Sequence, residues 1–367
     1  MKRILTSLLL SFTLINLAQQ GAPASYYNGF GSNWSLTGTN LKNALATKIT
    51  NTQTREINYS NTDEALAILD LDPADATNTN VLLLYGFSSN LCPAASTDDK
   101  DHRRRDSNMQ DDGSSNPCLY NREHTFPKAL GVPDLGTAGP GADLHHLRAA
   151  DKKRNADRDN DKFFNGSGNS FESGSNWYPG DEWKGDIARM MMYMYLRYGN
   201  QCLPINVGVG TPVATDANMI DLFLQWNADD PVSLYEDRRN TYLGNTSNNY
   251  GQGNRNPFID NPYLATVIWG GPVAQNRWPT IFLDTPTFDL ENAISIYPNP
   301  ASNIVNISTT VSLVEIDVVT INGQILQQIK NPVIESNTYT ISNLPKGFYF
   351  IKLSSASNSV TKKVLIN

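Results

Sequence analysis

Three of the four histidines in the chain, His124, His145 and His146, fall within residues 121–160, which read NREHTFPKALGVPDLGTAGPGADLHHLRAADKKRNADRDN. Hydrolysis of a phosphodiester calls for a base of near-neutral pKa to activate water and a hard cation to absorb charge on the phosphate. The adjacent pair Glu123 and His124 supplies one group of each kind. On a strand or at its end, successive side chains point to opposite sides, so the carboxylate can face a metal while the imidazole faces a water. Mg²⁺ keeps several waters and asks for few protein ligands. One carboxylate and one amide, here Glu123 and Asn155, would be enough.

The neighbouring groups have plainer readings. His145 and His146 invite a zinc site, but neither HxxxH nor CxxC occurs, so a structural role fits both better, such as a hydrogen bond that orients a ligand. Asp157, Asp159 and Asp161 alternate like the start of a calcium loop, yet Lys162 stands where that loop needs glycine. They read as a solvated acidic turn. A histidine base at its ordinary pKa predicts activity that falls below about pH 6.

The elements that must position these groups follow from patterning. Gly and Pro crowd residues 127–141 and mark a loop that returns the chain, and residues 151–160 fit a short helix or capped turn. Leu41, Ala44, Leu45 and Ile49 recur at helical spacing behind threonines able to cap. Asn61 and Glu64 read as a capping pair for a second helix through Leu69, and the apolar run 81–85 as a buried strand. The strongest helix is 181–198, with a methionine and tyrosine stripe and Gly199 behind it. Pro231 and Pro262 are expected at the first position of two further helices, the second ending at Trp269.

Residues 1–18 carry Lys2 and Arg3 and then an apolar run too short to span a bilayer, which is the pattern of a secretory signal peptide. Cleavage is preferred after Ala18, with Ala22 and Ala24 as alternatives. No later stretch approaches about eighteen continuous apolar residues, so a soluble mature protein is expected. Three cysteines suit an oxidising compartment. Any pair is formally possible; Cys92 with Cys118 is preferred, because that bridge would tether a polar loop beside the Glu123 strand and leave Cys202 free. The net charge of −7 is unfavourable for meeting a polyanion. Locally the sign reverses: between 148 and 158 five basic residues (Arg148, Lys152, Lys153, Arg154, Arg158) face two acids (Asp151, Asp157). Arg103, Arg104 and Arg105 could extend that patch, and Arg255 sits in a loop, with Asn256, that could touch a substrate.

NREHTFPK, DLHHLRAAD and RNADRDN together resemble the bacterial endonuclease I family of secreted nucleases, in the ββα-metal (His-Me finger) superfamily. The likeness runs on through LTGTNLKNAL, VLLLYG, DEWKGDIARMMMYMYLRYG, DPVSLYEDRRN and QGNRNPFIDNPYLATVIW, from about residue 26 to 270 in collinear order. Taken singly, Glu123 beside His124 is a surface pair and Asn155 a turn residue; order and spacing reverse that reading. The resemblance implies His124 as general base, Glu123 and Asn155 as metal ligands, and cleavage of DNA, for some members also RNA, without strong sequence preference, leaving 5′-phosphates. Some relatives place an arginine at the scissile phosphate; Arg148 is the candidate here.

After a proline-bearing connector at 276–293 the pattern changes to seven short strands, with Asn322-Gly323 as a type I′ hairpin signal. IYPNPAS, DVVTINGQIL and LPKGFYFIKL in this tail resemble the type A C-terminal sorting domain of type IX secretion cargo. The expectation is therefore an α+β chain: signal peptide 1–18, a ββα-metal nuclease with surrounding helices at 19–275, and a small all-β sandwich at 294–367. It predicts a monomeric enzyme, secreted or surface-bound after export through the periplasm. Mg²⁺ is the expected cofactor, with Ca²⁺ or Mn²⁺ as alternatives, and nucleic acid and the secretion machinery are the expected partners. Two other classes stay open: an inactive nucleic-acid-binding protein or adhesin, and a zinc hydrolase built on His145 and His146.

Overall fold

The computed structural model describes residues 23, 25–86, 92, 103–282, 294–309, 311, 313–333, 337–355 and 359–367. The expected signal peptide and most of the connector lie outside them. Contacts divide the chain into two units, at 281/282.

The first unit begins with α1 (Gly38–Thr52), which buries Leu41, Leu45 and Ile49 at i, i+4 and i+8. Each such burial stabilises by about 1.5–3 kcal/mol. In α2 (Thr62–Leu69), Ala65, Leu66 and Leu69 pack with Leu144, Leu147 and Leu243. Its start differs from expectation: Asn61 makes no side-chain cap, and the Thr62 hydroxyl instead donates to the carbonyl of Tyr59. Asp63 and Glu64 complement the helix dipole in its first turn.

Short strands β1 (Asn80–Leu82) and β2 (Arg104–Asp106) pair antiparallel. The pair β3 (Tyr120–His124) and β4 (Leu147–Asp151) is also antiparallel, with Glu123 opposite Arg148 and His124 opposite Leu147. Helix α3 (Lys152–Arg158) follows β4 without a loop, because the Asp151 carboxylate accepts from the amides of Lys153 and Arg154 and caps it. Strands β5 (Lys162–Phe163), β6 (Phe171–Ser173) and β7 (Asn176–Tyr178) form a small sheet beyond it, in the order β5-β7-β6.

Helix α4 (Lys184–Tyr198) is buried on every side from Gly185 to Leu196, so its methionines serve as core rather than as one stripe. Gly199, at φ +56, ends it. The unit continues with α5 (Pro204–Val207), a hairpin of β8 (Pro212–Val213) and β9 (Asp216–Ile220), then α6 (Asp221–Asp229), α7 (Leu234–Leu243), α8 (Pro257–Asp260) and α9 (Tyr263–Trp269). Ser233 and Glu236 close a reciprocal capping box on α7, with Pro231 left outside the helix. Pro262 is the N-cap of α9 rather than its first residue. A disulfide joins Cys92 to Cys118, and Cys202 is free and buried.

The second unit contains β10 (Ile294–Tyr297), β11 (Ile304–Thr309), β12 (Glu315–Thr320), β13 (Ile325–Lys330), β14 (Thr338–Ser342), β15 (Gly347–Ser354) and β16 (Ser359–Ile366). They build two sheets, β10-β11-β14 and β13-β12-β15-β16. Val305, Ile307, Ile316, Val318, Ile351, Leu353 and Val364 fill the shared core. The β12–β13 hairpin forms where expected, but only Gly323 takes a positive φ, at +81, and the register shifts at Val318/Val319. That pattern is a turn with a bulge, not type I′.

Candidate active site

Alternation along β3 separates its last two side chains. Glu123 turns inward and is 2% exposed, while His124 stays half-buried at the wall of a pocket of about 230 Å³. Glu123 Oε1 accepts from the Tyr85 hydroxyl at 2.7 Å and faces Arg158 Nη1 at 3.2 Å. Burial pushes the Glu123 carboxyl upward against the pull of Arg158 and Tyr85.

His124 Nε2 lies 3.0 Å from the carbonyl oxygen of Gly141. A carbonyl only accepts, so Nε2 carries the proton and Nδ1 keeps the lone pair. Burial, then the neighbouring His146, pushes the ring's pKa down to about 3, so the neutral form prevails. The carbonyl that sets this tautomer is tightly held. A Cβ on Gly141 would stand 2.2 Å from the oxygen of Gly136, and His146 Nε2 donates to the adjacent Pro140 carbonyl at 2.7 Å. His145 Nε2 pairs with the carbonyl of Asn254 at 3.1 Å. Asp143 accepts from Tyr193 and Tyr198, both at 2.8 Å, and from Gln252 at 3.0 Å. The DLHHLR segment is thus a buried framework behind His124.

Helix α3 brings Asn155 to the same pocket. Its Nδ2 donates to Asn121 Oδ1 at 2.8 Å and to the Arg122 carbonyl at 3.2 Å, which uses both amide protons and leaves the oxygen for a cation. One carboxylate and one amide oxygen form a hard donor set that suits Mg²⁺, whose remaining positions water can fill. Among the described residues no three His, Cys, Asp or Glu side chains gather as a metal site. His145 and His146 each pair Nε2 with a backbone carbonyl, which favours the structural reading of both.

Each of the expected substrate contacts has a partner within the protein. Arg148 is 2% exposed, pairs with Asp186 at 3.1 Å and lies over the Tyr235 ring at 4.4 Å, so it is a core residue. Arg255 is buried against Asp260, with Nε 3.0 Å from both carboxylate oxygens, and Asn256 caps α8. Lys152 pairs with Asp111 at 2.8 Å and Lys153 with Asp157 at 2.7 Å. Arg154 donates to the Ser170 carbonyl at 2.6 Å and lies over Trp177. Arg158 is buried, reaching Glu123 and, at 2.9 Å, the carbonyl of Thr125. Arg103, Arg104 and Arg105 pair with Glu182, Asp72 and Asp151. A run of basic residues in sequence says nothing of the acids that folding brings to it.

The residues missed are Lys128, Arg122 and Tyr59. Lys128 lines the pocket with Nζ 5.4 Å above the Tyr59 ring, and no carboxylate pairs with it among the described residues. Arg122 lies 3.9 Å over the same ring and pairs with Asp63 at 3.0 Å. Tyr59 stacks near His124 at 5.9 Å and 25°. The available signal was Lys128 itself, in the EHTFPK motif just after Glu123 and His124.

Residues 37–263 match the endonuclease I family, and residues 295–367 match a secretion system C-terminal sorting domain. An extracellular ribonuclease of Bacillus amyloliquefaciens is 38% identical over 243 residues, covering 63% of this chain and 74% of that protein. An extracellular ribonuclease of Bacillus subtilis (strain 168) is 36% identical over 272 residues, covering 70% of this chain and 84% of that protein.

Proposed function

The chain belongs to the endonuclease I family and ends in a secretion sorting domain, and from that premise we propose a secreted, metal-dependent endonuclease with little sequence preference. The observation that carries this is the convergence in one pocket of a tautomer-fixed His124, a buried Glu123 and the amide oxygen of Asn155.

His124 Nδ1 takes a proton from water, and the water attacks phosphorus in line with the departing 3′-oxygen, leaving a 5′-phosphate. The proton on Nε2 stays donated to the Gly141 carbonyl, which keeps the ring oriented as it becomes cationic. Glu123 and Asn155 would hold Mg²⁺, or Mn²⁺ or Ca²⁺ in its place, and the bound cation would supply neutralisation of the charge developing on the phosphate and the leaving oxygen. Lys128, which lines the same pocket, contributes a phosphate contact. Contacts of this type carry no base information, which suits a scavenging enzyme. DNA is the proposed substrate; the ribonuclease names of the two relatives favour RNA as a second. A signal peptide and passage through the periplasm complete the export route.

The test is cleavage of supercoiled plasmid and of RNA by the purified protein, in Mg²⁺ and in EDTA. His124→Ala is expected to keep the fold and lose at least ~10² in rate, the usual size of a general-base contribution. Near wild-type cleavage by that variant would exclude His124 as the base. Tight binding without any cleavage by the wild type would instead mark an inactive nucleic-acid-binding protein.

A further inference from the structure

Tyr85 is unusual in its backbone and in its side chain together. Of the six described non-glycine residues with positive φ, five are Asn or Asp; the sixth is Tyr85, at φ +73. A bulky residue is rarely found there, and such strain persists only where its surroundings impose it. The Ser170 hydroxyl donates to the Tyr85 carbonyl at 2.8 Å, the Gly86 amide closes the turn onto Leu83 at 2.9 Å, and the ring packs edge-on against Trp177 at 5.2 Å. Arg154 on α3 buttresses Ser170 through its carbonyl at 2.6 Å. The outcome is a buried hydroxyl delivered to Glu123 Oε1 at 2.7 Å.

That oxygen also faces Arg158 Nη1 at 3.2 Å. With the Tyr85 hydroxyl bonded to Oε1 and the Arg158 guanidinium beside it, Glu123 is left to meet a cation through Oε2. Helix α3 contributes to each part of this arrangement: Asn155 lines the pocket, Arg158 reaches Oε1, and Arg154 supports the serine behind Tyr85. Small octahedral cations accept single carboxylate oxygens, whereas Ca²⁺ tolerates higher coordination and readily takes both.

We propose that Tyr85 is a positioning residue that occupies one oxygen of Glu123 and thereby sets the pocket for a small divalent cation over Ca²⁺. This rests on the reading of Glu123 and Asn155 as the cation's ligands. A glycine would take that backbone without strain, so the strain at residue 85 accompanies the placing of a tyrosine side chain there.

The experiment is calorimetric titration of the metal-stripped, nucleic-acid-free full chain with Mn²⁺ alone and with Ca²⁺ alone. Tyr85→Phe is expected to weaken Mn²⁺ binding about tenfold, as loss of a partner that orients a metal ligand does, while Ca²⁺ binding changes far less. Unchanged Mn²⁺ affinity, or an equal loss for both ions, would overturn the proposal, because a merely structural role has no reason to discriminate between them. Ser170→Ala, which frees the Tyr85 carbonyl, is expected to shift the ratio in the same direction by a smaller factor. It decides the matter should Tyr85→Phe not fold, and a wild-type ratio there would count against the proposal. Glu123→Gln reports separately on the site: undiminished Mn²⁺ binding in that variant, or none in the wild type, refutes the ligand assignment itself.

Discussion

The two units solve the problem of an interior in opposite ways. The sorting sandwich buries a nearly pure set of aliphatic side chains, with Thr309 and Asp317 the buried polar residues among those described. The nuclease unit buries Glu123, Asp143, His145, His146, Arg148, Asp151, Arg158, Asp186, Arg189 and more. A buried charge is costly unless paired, so each of these fixes a partner: Arg158 with Glu123, Arg148 with Asp186, Arg189 with Glu236. An apolar core tolerates many solutions of similar volume, whereas a paired polar interior specifies one arrangement of reacting groups. The nuclease unit needs that specificity.

The contrast is broken most directly by removing one charge. Arg158→Ala leaves Glu123 buried without its cation, and the nuclease unit is expected to lose about 3–5 kcal/mol in chemical denaturation. A loss below about 1 kcal/mol would mean that water reaches the carboxylate. In the sandwich the corresponding break is apolar: Ile351→Ala should cost about 2–5 kcal/mol through lost burial and a cavity. It should lower the melting of the tail while leaving that of the nuclease unit in place. One shared transition that moves as a whole would show that the units do not melt separately.

Smaller effects sharpen the comparison on the substrate side. Lys128→Ala is expected to reduce kcat/KM about tenfold and to flatten the log–log salt dependence by about one unit, as removal of one phosphate contact does. Lys153→Ala should do neither, since that side chain is paired with Asp157. Equal salt slopes for wild type and Lys128→Ala would remove Lys128 from the substrate. The mildest probe is protonation. With burial pushing His124 down to about 3 and His146 to about 4, both rings should remain neutral at pH 5 in metal-free protein, as read by imidazole NMR shifts. With the neutral ring as the proposed base, depression of its pKa extends activity toward acid, and the fall expected from an ordinary histidine near pH 6 moves lower. A His124 midpoint near 6.5 would show an open, hydrated ring.

The same contrast explains what could be read in the chain before it folds. Alternation in the tail is a local signal, so all seven strands were visible, and only the turn at Asn322-Gly323 was mistaken in type. Helices of the nuclease unit were visible through Leu41, Leu45, Ile49 and the α4 methionines for the same reason. Glu123, His124 and Asn155 were legible because their order and spacing persist in the motif, and folding brings all three to one pocket. The roles of Arg148 and Arg255 were not legible. Their meaning depends on Asp186 across the core and on Asp260 at the start of a later helix, and no periodicity announces a charge partner. Tyr85 read as one more residue of a buried strand, since a left-handed backbone leaves no mark on an apolar run.

Gly141 carries a consequence for how members of such a family are told apart. There is no room for a methyl group at that position, and the carbonyl it presents decides which imidazole nitrogen of His124 is free. A descendant with alanine at 141 would retain every residue that reacts or binds, and inspection of its motif would pass it as competent. Its silence would be written in one atom of an otherwise featureless loop, so loss of activity in this lineage can arise without the loss of a single chemical group.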